Sequence, residues 1–126
     1  MTLVAVFRAL SAAVTIALGA LLVHAGEPSH SRWWIGAPPF ALWVIGPAIL
    51  PCLIAARQSS RWFSITMFSY LVVSSTLSGF AYREAFFGSQ SSTAALAMVF
   101  IPLYQWLALG LLCVVCLGVR RAGRPQ

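Results

Sequence analysis

The chain has 126 residues, of which 60% are hydrophobic and 8% charged, and its formal net charge is +6. A soluble domain carries about 25% charged residues, so this composition excludes an ordinary soluble fold and points to a polytopic membrane protein. The basic excess does not read as a nucleic-acid surface, because the arginines sit in short connections and in the tail, with no aromatic-interleaved patch among them. All eight basic residues are Arg, and Lys, Asp and Asn are absent, which we read as a bias of the source genome. Three cysteines, none in a predicted loop, offer no disulfide framework.

The first apolar segment runs from about Leu3 to His24, with Arg8 as its only Arg or acidic residue, close enough to the N-terminal end to snorkel. Ala9, Ala12, Ala13, Ala17 and Ala20 share one side of its helical wheel, a face that lets another helix approach closely. The same segment, ending in Val-His-Ala before Gly26, also has the pattern of a cleavable secretory signal, and both readings place Gly26 outside. The expectation is retention as a first membrane helix. Pro28 and its polar neighbours mark a loop, and Trp33 and Trp34 suit a membrane interface.

Helix two, predicted over Ile35–Ala56, holds 22 residues without a charge and carries Pro38, Pro39, Pro47 and Pro51. Pro47 has no N–H for the carbonyl of Trp43, and Pro51 has none for that of Pro47. In lipid such carbonyls need partners from neighbouring helices, so this segment must be packed against the others. The loop from Arg57 to Arg61 is short enough to make helices two and three antiparallel neighbours. Helix three is predicted over Trp62–Tyr82, with Ser74, Ser75, Thr76 and Ser78 in its second half. A connection from Arg83 to Thr93 follows, with Phe86 and Phe87 dipping into the interface and Ser-Gln-Ser-Ser-Thr supplying N-cap candidates. Helix four is predicted over Ala94–Val119. The spacing thus describes one all-α domain, a compact bundle of four transmembrane helices.

Orientation follows from the arginines. Arg8, Arg57, Arg61, Arg120, Arg121 and Arg124 lie on one side, and Arg32 and Arg83 on the other, which places both termini in the cytoplasm. The expected location is a bacterial inner membrane, with membrane lipid as the surrounding partner.

Reactive constellations are sparse. Cys113 and Cys116 form a CxxC, but the pair falls in the inner half of helix four, and the outer loops have no cysteine to relay electrons; buried thiols of this kind act as small hydrophobes. His24, Glu27 and His30, with Glu84, could supply ligands for zinc or copper, but Pro28 keeps them from continuing one regular helix, and interfacial polar residues need no ligand to explain them. No Asp or Glu lies inside an apolar span, which disfavours ion-coupled antiport. No pair of opposed histidines suits a haem, and no base stands at the depth of a hydroxyl or thiol. The chain therefore reads as non-enzymatic, with no cofactor or metal.

The candidate site is a polar seam. Gln105 lies about 16 Å below the outer start of helix four, Ser74 about 12 Å, and Tyr70 and Pro47 about 18 Å below the outer ends of theirs. Gln105 is expected to point into the bundle and bond a hydroxyl of helix three or the carbonyl of Trp43. Tyr70, Ser74, Ser75 and Ser78, with Trp43 and Pro47, complete the seam; Ser74 and Ser78 also form a small-xxx-small pair. Two functions fit. The first is a non-catalytic accessory, assembly or structural subunit that binds other membrane proteins through helix contacts. The second is a homo-oligomeric channel or transporter, including a pore-forming lysis protein, whose path is lined by the hydroxyls of helix three.

Overall fold

The computed structural model describes residues 2–58, 60–88 and 94–122. They form four helices: α1 (Leu3–Ala25), α2 (Trp33–Ala56), α3 (Arg61–Phe87) and α4 (Ala94–Ala122). Each is long and apolar enough to cross a membrane. Large side chains such as Ile16, Leu42, Leu77 and Leu111 face outward, a surface suited to hydrocarbon rather than water.

Local chemistry sets most boundaries. Thr2 caps α1 by accepting the Ala5 N–H at 3.4 Å, and the Gly26 N–H closes its last turn on the Leu22 carbonyl at 3.0 Å. Gly26 also lies under the indole of Trp33, whose ring occupies the space a Cβ would need. That contact holds the α1–α2 connection tight. Trp33 and Trp34 are helical rather than part of the loop, because α2 begins directly after Arg32. At the other end of α3, the residues expected to start a loop remain helical as far as Phe87. Charge at Arg83 and Glu84 does not break a helix, and the run contains no Gly or Pro before Gly88, which terminates it. Helix α4 likewise continues through Arg120 and Arg121 to Ala122. The N-cap expected for α4 within Ser-Gln-Ser-Ser-Thr lies outside the described residues.

The helices run up and down in turn, as cross-contacts at matched heights show. Phe7 of α1 meets Phe68 of α3 edge-on at 5.7 Å, and Arg120 of α4 donates to the Gln58 side chain at 2.6 Å. Helix α2 touches all three others, α3 touches α2 and α4 with a small contact to α1, and α1 and α4 do not meet among the described residues. The cross-section is thus a rhombus, with α2 and α3 on the short diagonal and α1 and α4 at the far corners.

The sequence of α2 explains its central place. Its buried stripe is Val44, Pro47, Ala48, Pro51 and Ala55, compact residues at helical spacing that let neighbouring backbones come near. Met67, Leu71, Leu109 and Val44 fill the centre. Neighbouring helices also bond the α2 backbone. The Trp106 Nε1–H donates to the Trp43 carbonyl freed by Pro47, at 3.0 Å, and the Ser11 hydroxyl donates to the Ala48 carbonyl at 2.8 Å, one residue beyond the carbonyl that Pro51 frees. On α4, the Trp43 Nε1–H reaches the Val99 carbonyl at 3.4 Å, in the turn before Pro102.

Two buried hydroxyls, of Thr15 on α1 and Tyr82 on α3, are left without a partner among the described residues. Tyr82 is 5% exposed, packs near Phe86, and its OH has no partner among the described residues. An unpaired buried hydroxyl destabilises, so Tyr82→Phe should leave stability unchanged or raise it by about 1 kcal/mol. Thermal unfolding in mild detergent measures this, and a clear loss would reveal a bond to that oxygen.

Candidate functional site: a polar cleft between α3 and α4

The face of α3 at positions 66, 69, 70, 73, 74, 77, 78 and 81 and that of α4 at 101, 104, 105, 108 and 112 border a cleft of about 610 Å³. Both sets follow the i, i+3, i+4 pattern, so each is one continuous stripe of its helix. The lining surface is mostly apolar, although seven of its thirteen residues carry a hydroxyl or amide, and of these Tyr70, Ser74, Ser78 and Gln105 converge at mid-height. The Gln105 Nε2–H donates to the Ser78 hydroxyl at 2.6 Å, and the Tyr70 hydroxyl donates to the backbone carbonyl of Gln105 at 2.8 Å. Helix α4 is therefore tied to α3 at two levels, one turn above and one turn below the middle of α3. Ser74 lines the same cleft between these ties. The cleft opens to the outside of the bundle, where Val73, Leu77 and Tyr104 stand exposed at its edge.

The residues proposed as one seam fall into two groups. Gln105, Tyr70, Ser74 and Ser78 border the cleft, whereas Ser75, Trp43 and Pro47 do not. Trp43 and Pro47 belong to a second cluster on the other side of α4, where Trp43 and Trp106 stack at 6.4 Å and 28°. Gln105 does not take the Trp43 carbonyl; Trp106 does. Consecutive residues of a helix point about 100° apart, so Gln105 faces α3 while Trp106 faces α2. Gly46 makes the second contact possible, since a Cβ there would lie 2.5 Å from the Trp106 ring. Trp106 is thus the residue that the sequence reading missed. Its signal was present: an indole N–H that must find an acceptor, opposite a glycine and a proline-freed carbonyl at similar depth.

The remaining candidates do not line the cleft. Cys52, Cys113 and Cys116 are free thiols; Cys116 belongs to the core, and the other two pack against it. His30 and Glu27 pair at 3.2 Å on the exposed α1–α2 connection. No group of three or more His, Cys, Asp or Glu side chains converges among the described residues.

No protein-family model, curated protein or solved structure matches this chain.

Replacing Gln105 tests what the cleft network contributes to folding. Gln105→Leu removes the donor to Ser78 but keeps the backbone acceptor for Tyr70, so the expected loss is about 0.6 kcal/mol and at most about 1.7. Reversible unfolding in mixed micelles measures it. A larger loss would mean that the amide holds more than this one bond.

Proposed function

We propose that this protein is an integral component of a bacterial inner membrane, with both termini in the cytoplasm, and that it acts without catalysis as an accessory, assembly or structural subunit. The observation that supports this reading is the orientation of α1. Phe7, Ser11, Leu18 and Leu22 are its buried residues, while Ala9, Ala12, Ala13, Ala17 and Ala20 on the opposite side are all exposed. An alanine-rich face turned away from its own bundle, with Ile16 as the large side chain standing among the alanines, suits close packing by a helix of another protein, where van der Waals contact and not hydrophobicity drives association. Co-purification in mild detergent tests it. A foreign membrane protein should be retained in fixed ratio by the wild type and lost by Ala13→Leu with Ala17→Leu, while the fold stays intact. Retention of no foreign protein would count against the reading.

The arginine asymmetry supports the orientation. A reporter active only in the cytoplasm should work when fused after Gln126 and be silent when inserted near Ser29. The reverse pattern at either site refutes it.

The cleft favours a second reading, a homo-oligomeric channel or transporter with the hydroxyls of α3 along its path. Solute flux in vesicles that Gln105→Leu reduces far more than it reduces stability would select that function instead.

A further inference from the structure

Among the polar groups beside the α3–α4 cleft that lack a partner in the described residues, two lie at one level of α4. Tyr104 is 68% exposed, ten residues into α4, and its hydroxyl makes no hydrogen bond among the described residues. Gln105 spends one N–H on Ser78, and its backbone carbonyl accepts from Tyr70, but its side-chain oxygen accepts from none of the described residues. An amide of this kind can donate two bonds and accept two through Oε1. Ten residues of helix place Tyr104 about 15 Å from the start of α4, near the middle of a hydrocarbon core roughly 30 Å thick. Neither water nor a lipid headgroup reaches that depth, and acyl chains offer no acceptor. An unmet hydroxyl there costs several kcal/mol by transfer into hydrocarbon.

We propose that the cleft face is covered by a second copy of this chain, in a two-fold dimer in which the Tyr104 hydroxyl of each copy donates to the Gln105 Oε1 of the other. The proposal rests on the membrane reading above, and on that alone. Copies inserted in the same orientation are related by an axis along the bilayer normal, so residues meet counterparts at their own depth. Tyr104 and Gln105 are adjacent in sequence and about 1.5 Å apart in height, so the missing donor and the missing acceptor face each other by symmetry. A foreign helix would need to carry an acceptor at that one level; a second copy carries it necessarily. Shape agrees with this. Ala108, Ser74 and Ser78 are small residues lining the cleft, and Leu77 and Val73 are exposed apolar side chains at its edge that can pack across the axis. Helix α1 lies at the opposite corner of the rhombus, so the dimer leaves its alanine face open.

The test uses the purified full chain in lipid vesicles, with self-association followed by energy transfer between labelled copies as protein is diluted in lipid. The wild type should dimerise. Two symmetry-related bonds at about 0.6–1.7 kcal/mol each imply that Tyr104→Phe raises the dissociation constant roughly ten- to three-hundredfold. Ala108→Phe, which fills the cleft from an exposed position, should abolish dimerisation, and both variants should unfold like the wild type. In a chain otherwise free of cysteine, Tyr104→Cys should crosslink to itself and Ile16→Cys on α1 should not. A chain that stays monomeric at every dilution overturns the proposal, as does a dimer indifferent to both cleft variants. Foreign proteins are absent from these vesicles, so failure here is separate from failure of the accessory role, which co-purification alone decides.

Discussion

Trp106→Ala should destabilise the bundle by about 3 kcal/mol, the low end for removing a large aromatic side chain. On the membrane placement proposed above, the low end applies because both folded and dissociated helices are surrounded by hydrocarbon, so the loss is packing and hydrogen bonding with no transfer from water. Three contacts disappear together. The stack with Trp43 goes, the ring leaves the notch at Gly46, and the Trp43 carbonyl loses its 3.0 Å donor. Pro47 has already removed the backbone N–H that would otherwise have served that carbonyl. Trp106→Phe separates the terms, because it keeps a ring in the notch and deletes only the N–H, at an expected cost of about 0.6–1.7 kcal/mol. Unfolding in mixed micelles reads both variants. Equal losses would mean that the hydrogen bond alone carries the contact, and no loss in either would mean that α2 and α4 are held elsewhere.

Leu71→Ala should cost about 2 kcal/mol, the smallest value usual for a leucine truncated in a packed core. Leu71 is 1% exposed and sits in the core cluster with Met67, Val44 and Leu109. Its removal leaves a void between helices where dispersion contacts are lost and lipid cannot enter. Leu111→Ala is the paired control, since Leu111 is 67% exposed on the outer surface of the bundle. The first variant should lower the unfolding midpoint, and the second should leave it nearly unchanged. Similar effects at the two sites would show that composition, and not burial in this arrangement, governs stability.

Much of the architecture was legible in the residues because it depends on one-dimensional quantities. Four apolar runs of sufficient length, three of them uncharged and the first carrying only Arg8, state four helices, and Pro47 and Pro51 announce that α2 needs help from its neighbours. Helix ends were less legible. The stop after Tyr82 was placed at the first charges, although a helix ends where a backbone conformation changes, and here that occurs at Gly88. The seam was partly legible for a related reason. Depth can be counted along a helix, so Gln105 and Ser78 were placed among compatible partners, but the rotation of each helix about its axis cannot be counted.

By itself, then, the sequence determined the number of helices, their apolar character, the position of each polar group along its helix and the need to satisfy the carbonyls that proline frees. These follow from composition and from a fixed rise per residue. Only the tertiary structure decided which helix answers which need. It assigned the Trp43 carbonyl to Trp106 and the Ser78 hydroxyl to Gln105, and it turned the alanines of α1 outward instead of onto α2. Those choices depend on how α2 and α3 pair along the short diagonal of the rhombus. With every side apolar, no amphipathic stripe dictates the rotation of a helix, and close packing between specific small and large residues settles it.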